Sequence, residues 1–239
     1  MIYHNNSYRN NLMRLGFIGS GQITKAVING LLSSQIKFSK IYISRRNLKI
    51  SKELGKKNKK IFVIENNQKI IDNSDWIFLA ITPNVGNKIL KKLKFKKKHT
   101  IISFISTIKM KDLKKFIKVK AHIVRAIPLP PISIKKGPVP IYPPNKKVKN
   151  FFNKLGDVIE IKKEHLSLNF WTTSSMMAPF YEILQTLSLW LITQGGKREN
   201  THKYITSLFV ALSEDAFTKS KDLNKLLKQS KTHKDNNEY

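Results

Sequence analysis

The 239-residue sequence predicts an α/β domain built on a parallel sheet with helices on both faces, followed by a smaller all-helical segment. Three observations carry this reading. Leu15, Phe17 and Ile18 form a short apolar run that leads at once into Gly19-Ser20-Gly21, after which Ile23, Ala26, Val27 and Leu31 recur at helical spacing. Short apolar runs then alternate with amphipathic stretches as far as Ile161. From Glu164 onward the short runs stop and only helical stripes remain.

Taken in order, Lys40-Ile-Tyr-Ile-Ser44 reads as a second strand, and Leu48 to Lys56 as a helix. Ile61 to Ile64, Trp76 to Ala80, Thr100 to Phe104 and His122 to Arg125 read as further strands. Gln68 to Asp72, Val85 to Leu93 and Met110 to Ile117 read as the helices between them. The stretch Pro128 to Pro144 holds most of the prolines. It is expected to exclude helix, with Val139 to Tyr142 at best an edge strand. Phe151, Phe152 and Leu155 mark one more helix before Val158 to Ile161. Apolar stripes at Phe180, Ile183, Leu184, Leu187 and Leu191, and at Tyr204, Leu208 and Leu212, flank Gly195-Gly196. Helices this apolar need a partner surface, which predicts a bundle between subunits. The expected divisions are a disordered, Asn-rich tail over 1–12, a nucleotide-binding domain over 13–163 and a helical domain over 164–239.

A glycine turn between a strand and a helix has a physical use. The first glycine permits the tight turn, and the second lets the backbone approach a pyrophosphate. The helix start then offers free N–H groups and a positive dipole end. Thr24 stands where the motif prefers a third small residue, so looser helix packing is expected there. Cofactor choice is read at the end of the second strand, where a carboxylate suits NAD and arginine suits the 2′-phosphate of NADP. Ser44-Arg45-Arg46 occupies that place, which favours NADP.

Composition narrows the classes. With no cysteine, disulfides, thiolate nucleophiles and cysteine zinc sites are excluded, in keeping with a cytoplasmic setting. No run approaches the ~20 apolar residues of a membrane helix, and the N-terminus lacks the apolar core of a signal peptide. The net charge of +30 is spread through every segment, without a zinc knuckle, an aromatic RNA-binding signature or an arginine-rich arm. It argues for steering of small anions rather than specific nucleic-acid binding. The six histidines show no metal-binding spacing, and no Ser-His-Asp or paired-carboxylate arrangement stands out.

Gly16 to Leu31, Ser44-Arg45, Ala80-Ile-Thr-Pro83, Ile102-Ser-Phe-Ile-Ser106 and Val124-Arg-Ala-Ile-Pro128, in that order, resemble pyrroline-5-carboxylate reductases. The resemblance covers essentially the whole first domain. It implies a Rossmann-type domain, a helical domain that dimerises by interlocking with its partner, and NAD(P)H-dependent reduction of a cyclic imine to proline. It also implies that Gly19, Ser20, Gly21, Gln22 and Ile23 hold the pyrophosphate. By the same carry-over Ser44, Arg45 and Asn66 line the adenosine end, and Ala80, Thr82, Pro83 and Ser106 approach the nicotinamide.

The departures lie where substrate is expected. The family's Ser-Gly-Ser-Gly-Pro-Ala-Tyr segment stands here as Ser175-Met-Met-Ala-Pro-Phe-Tyr181, Leu129 replaces an asparagine, and the late Pro-Gly-Gly-Thr-Thr segment has no counterpart. Thr172, Thr173, Ser174 and Ser175 still offer hydroxyls, with Thr173 and Ser175 as the candidate catalytic pair. Two readings stay open for the cluster: binding a carboxylate or imine nitrogen, or capping the next helix. Three functions are carried forward: pyrroline-5-carboxylate reduction with NADPH as a homodimer, reduction of another imine or keto compound, and non-catalytic NADP binding.

Overall fold

The alternation of apolar side chains along each strand builds a sheet with two buried faces. The structure, a computed structural model, describes residues 12–219 and 222–231; the expected 1–12 tail falls outside it apart from Leu12. The strands are β1 (Met13–Ile18), β2 (Phe38–Ser44), β3 (Ile61–Ile64), β4 (Trp76–Leu79), β5 (Thr100–Ser103), β6 (His122–Ala126), β7 (Pro138–Tyr142) and β8 (Asp157–Glu160). Their spatial order is β3-β2-β1-β4-β5-β6-β7-β8. The helices between them are α1 (Gln22–Leu32), α2 (Leu48–Lys57), α3 (Asn67–Asp72), α4 (Pro83–Ile89), α5 (Met110–Ile117) and α6 (Lys146–Phe152).

On one face Leu15, Phe17, Phe78 and Val124 pack against Val27 and Leu31 of α1, Leu54 of α2 and Phe152 of α6. The Phe17 and Phe78 rings stack at 4.4 Å. On the other, Ile18, Ile77, Leu79 and Ile101 meet Ile70 and Ile71 of α3 and Leu113 and Ile117 of α5. A one-residue slip in any central strand would exchange the two faces, so the register is held by burial on both sides.

The proline-rich stretch corrects the sequence reading twice. Pro130–Ile134 forms a 3-10 helix, with Pro130 and Pro131 at the first positions, where no N–H is needed. It lies so close on α1 that a Cβ at Gly30 would sit 2.3 Å from the Ile132 carbonyl oxygen. β7 is also no edge strand: it runs antiparallel to β6 and parallel to β8, so the sheet is mixed. Its prolines are tolerated because they serve as acceptors, the Pro140 carbonyl receiving the Ile127 N–H at 3.2 Å. The amphipathic stretch expected over Val85 to Leu93 is α4 from Pro83, ending in a 3-10 turn at Leu90–Lys92.

The chain divides between Ser174 and Ser175 into two compact units. α7 (Glu164–Thr173) groups with the first, where Glu164 and Ser167 bond Arg125 of β6. The second unit holds α8 (Met177–Thr193), α9 (Arg198–Lys219) and α10 (Leu223–Ser230). Two residues after α8, Gly195 takes a φ of +91° before Gly196 returns its N–H to the Leu191 carbonyl. Burial within α8 and α9 is sparse: among the described residues Ser188, Thr201 and Ile205 are buried, while Trp190, Tyr204, Val210, Leu212 and Phe217 are exposed.

His99 gives the first unit a pH dependence. It is fully buried before β5, and the Lys96 N–H donates to its Nδ1 at 3.1 Å, which leaves the ring proton on Nε2. Nε2 has no partner among the described residues. Burial, assisted by Lys98 and Lys96, holds its pKa below the usual 6.5. The unfolded chain therefore takes up a proton first, so stability from the neutral ring is complete above about pH 6.5 and is lost as the pH falls below it. The urea midpoint is expected to drop below pH 6.5 in the wild type. His99→Asn, which keeps an acceptor but does not titrate, is expected to lose that slope; an unchanged slope would assign the effect elsewhere.

Candidate active site

Between β1 and β4 the strand order reverses direction, and in open α/β sheets that crevice outside the carboxyl ends is where ligands gather. Gly19 turns the chain out of β1 with a φ of +113°, and a Cβ there would lie 2.1 Å from the Ala80 carbonyl oxygen. At Gly21 a Cβ would meet nothing within 4 Å, so the backbone there is open to an approaching group. α1 begins directly after it with no side-chain cap and no acidic residue in its first turn. Its free N–H groups suit an anion. Thr24, where the motif prefers a small residue, is fully buried and its hydroxyl donates to the Gly19 carbonyl at 2.9 Å.

Two adjoining hollows form one cleft. The first is lined by Gly19, Ser44, Arg45, Arg46, Glu65 and Asn67. The second is lined by Gly19, Ser20, Gly21, Arg46, Ala80 and Thr82. Ser44 is a structural tie within it. Its Oγ accepts the Gly19 N–H at 3.0 Å and lies 2.8 Å from Asn67 Oδ1 and 3.2 Å from the Phe17 carbonyl oxygen. The Ser20 hydroxyl accepts the Asn47 N–H at 2.9 Å, bracing the start of α2. Two guanidiniums, Arg45 and Arg46, stand at the end reached from β2, the former 3.5 Å from Glu65.

The remaining expected residues are placed less uniformly. Gln22 and Ile23 open α1, with Ile23 packed against the core. Asn66 spends its side-chain oxygen capping α3 at the Gln68 and Lys69 N–H groups, and its neighbour Asn67 lines the cleft. Pro83 borders a neighbouring hollow with Thr107 and Phe116 rather than the cleft, and Ser106 lines neither. Of the hydroxyl cluster, Thr172 and Thr173 donate backward to the Leu168 and Phe170 carbonyls, and Ser174 to that of Trp171. α8 has no side-chain cap, so the capping reading is corrected. The exposed Ser175 hydroxyl has no partner among the described residues.

One residue of the site region had no role in the sequence reading. Arg125 is 2% exposed. Its guanidinium donates to Ser167 Oγ at 2.9 Å, to Glu164 Oε1 at 2.9 Å and to the Ile108 carbonyl. Glu164 Oε1 also accepts the Met110 N–H at 2.6 Å, so one ion pair ties β6, the start of α5 and α7 together. The signal was available: strand alternation puts Arg125 on the face of Ile123, inside a doubly covered sheet.

Comparisons with known proteins agree with this geometry. Residues 14–107 match the family model described as NADP oxidoreductase, coenzyme F420-dependent. That match spans β1 to β5 of the Rossmann-type domain, including the glycine turn and the end of β2. Pyrroline-5-carboxylate reductase 3 of Danio rerio is 29% identical over 131 residues, 52% of this chain and 44% of that protein. The match thus spans less than half the length of the zebrafish protein. Pyrroline-5-carboxylate reductase of Corynebacterium melassecola is 23% identical over 88% of this chain and 81% of its own. Two solved structures share the fold: 1-pyrroline-5-carboxylate reductase from Streptococcus pyogenes (TM-score 0.78, 22% identity, 93% and 86% of the two chains), and the Plasmodium falciparum pyrroline carboxylate reductase with NADP bound (TM-score 0.79, 19% identity, 93% and 85%). The chain is thus similar in fold and, at low identity, in sequence to pyrroline-5-carboxylate reductases.

Proposed function

We propose that the chain is an NADPH-dependent reductase of a cyclic imine, converting 1-pyrroline-5-carboxylate to proline. The observation that carries it is the cleft itself. An open Gly21 and an uncapped α1 lie at the switch point, and two arginines stand at the end of β2 where a 2′-phosphate is read. The NADP-bound relative of the same fold supports the cofactor. In this reading Gly19, Ser20, Gly21, Gln22 and Ile23 surround the pyrophosphate, and Ser44, Arg45, Arg46 and the Asn66-Asn67 pair form the adenosine end. In the same reading Ala80 and Thr82, which line the cleft, lie toward the nicotinamide, whereas Pro83 and Ser106 do not line it. The bound dinucleotide supplies the hydride. The chain's contribution is to hold the two reactants in order and to exclude water.

Thr173 and Ser175 are assigned to the imine or its carboxylate, Ser175 with an uncommitted hydroxyl and Thr173 with acceptor capacity left on its oxygen. The exposed apolar surface of α8 and α9 supports a homodimer through these helices, since an isolated chain would leave Trp190, Val210 and Phe217 in water. Light scattering is expected to give twice the 27.6 kDa chain mass; a monomer would reject this part. A cytoplasmic setting belongs to the same proposal, and among the described residues no helix is long and apolar enough to cross a membrane.

The direct assay is NADPH oxidation with pyrroline-5-carboxylate, and turnover no greater than the blank would overturn the substrate. Met176 and Met177, in place of the family's small residues, favour a second reading in which another imine or keto acid is reduced. A substrate screen in which only pyrroline-5-carboxylate turns over would exclude it. Arg45→Ala is expected to weaken NADP about ten-fold, the worth of a charge-assisted hydrogen bond, and to leave NAD nearly unchanged. Equal losses would show that Arg45 does not read the 2′-phosphate.

A further inference from the structure

The adenosine end of the cleft holds a carboxylate among its cations. β2 and β3 are parallel and in register from Ile41↔Ile61 to Ser44↔Ile64. The Arg45 N–H continues the ladder to the Ile64 carbonyl at 3.1 Å. The residues one step beyond each strand, Arg45 and Glu65, are therefore forced to be neighbours by backbone pairing. Their side chains meet at 3.5 Å between Nη1 and Oε2, and both line the same hollow with Ser44, Arg46 and Asn67. Glu65 is 83% exposed, so no burial requirement explains its place. In a chain with 15 acidic residues against 45 basic ones, a carboxylate facing this hollow is not background.

A carboxylate here acts on two ligands differently. Toward a 2′-phosphate it is a like charge that also occupies the guanidinium the phosphate needs. Toward a free ribose it is an acceptor for the 2′-hydroxyl, the role an acidic residue at the end of the second strand has in NAD-binding proteins of this fold. We infer that Glu65 is a specificity-determining residue that opposes the 2′-phosphate, narrowing the preference of this cleft for NADP and admitting NAD as a second cofactor. The inference rests on the proposal that the cleft binds a dinucleotide. Arg46, for which no carboxylate lies within ion-pair distance among the described residues, supplies the cation that keeps NADP ahead.

The test is calorimetric titration of the full chain and of Glu65→Gln with NADP+ and NAD+. Glu65→Gln keeps the size and exposure of the side chain and removes the charge. NADP+ is expected to bind about two- to five-fold more tightly to the variant, the range an exposed ion pair supports, while NAD+ binds equally or more weakly. The gain for NADP+ is expected to shrink at about 0.5 M salt, where exposed charges are screened. Equal tightening for both cofactors would reduce Glu65 to a contribution to overall charge and overturn the inference, as would no change or a loss for NADP+. Failure of the unaltered chain to bind either dinucleotide would instead remove the reading of the cleft, and this inference with it.

Discussion

Arg125→Met is expected to lower the unfolding free energy of the first unit by about 3 kcal/mol, the range for breaking a buried ion pair from one side. For a unit of this size that corresponds to a fall of about 6–12 °C in melting temperature. Arg125 is 2% exposed, whereas the Glu164 side chain is 29% exposed and can regain water, so the estimate sits at the low end for a buried pair. Three things go together: the bond to Ser167, the bond to the Ile108 carbonyl and the pair with Glu164. Glu164→Leu is expected to cost at least as much, because it strands the guanidinium in the interior and also frees the Met110 N–H. Glu164→Gln keeps an acceptor for both donors and is expected to cost less than either. A melt in which all three variants match the wild type would show that α7 is held by apolar packing alone.

The second large effect separates the two glycines of the turn. Gly19→Ala places a methyl group 2.1 Å from the Ala80 carbonyl oxygen at a φ of +113°, where both strain and overlap oppose it. A loss of about 2–5 kcal/mol is expected from the two together. The displaced turn also breaks the Gly19 N–H bond to Ser44, so NADP binding is expected to disappear with it. Gly21→Ala meets nothing within 4 Å. Its stability is expected to stay within about 0.5 kcal/mol of the wild type, while NADP binding weakens because the methyl group fills the approach to the backbone. Thermal melts paired with NADP+ titrations distinguish the cases. Unchanged NADP binding by Gly21→Ala would move the pyrophosphate away from this turn.

The parts legible in the sequence were those whose causes are local. The strand, turn and helix over Met13 to Leu32 follow from an apolar run, a residue able to take positive φ, and apolar positions at a period near 3.6. Arg45 and Arg46 were legible for the same reason, since the end of β2 is defined by its own pattern. The place of Asn67 in the cleft was not, because which of Asn66 and Asn67 faces it depends on which one caps α3, a matter of hydrogen-bond geometry. β7 was misplaced because prolines weaken a strand signal locally. Its partners, β6 and β8, supply N–H donors to its carbonyls from elsewhere in the chain.

By itself the sequence determined the fold class, the glycine turn and the cation-rich end of the cleft, since each arises from residues within a few positions of one another. Only the tertiary structure decided what crosses the sheet or joins separate strands. Arg125 is a buried anchor because Ile108, from the loop before α5, and Glu164 and Ser167, from α7, converge on it. Glu65 faces the arginines because the register of β2 against β3 leaves it nowhere else to stand. Burial and strand register belong to pairs of distant segments, and no local pattern encodes which pairs will form.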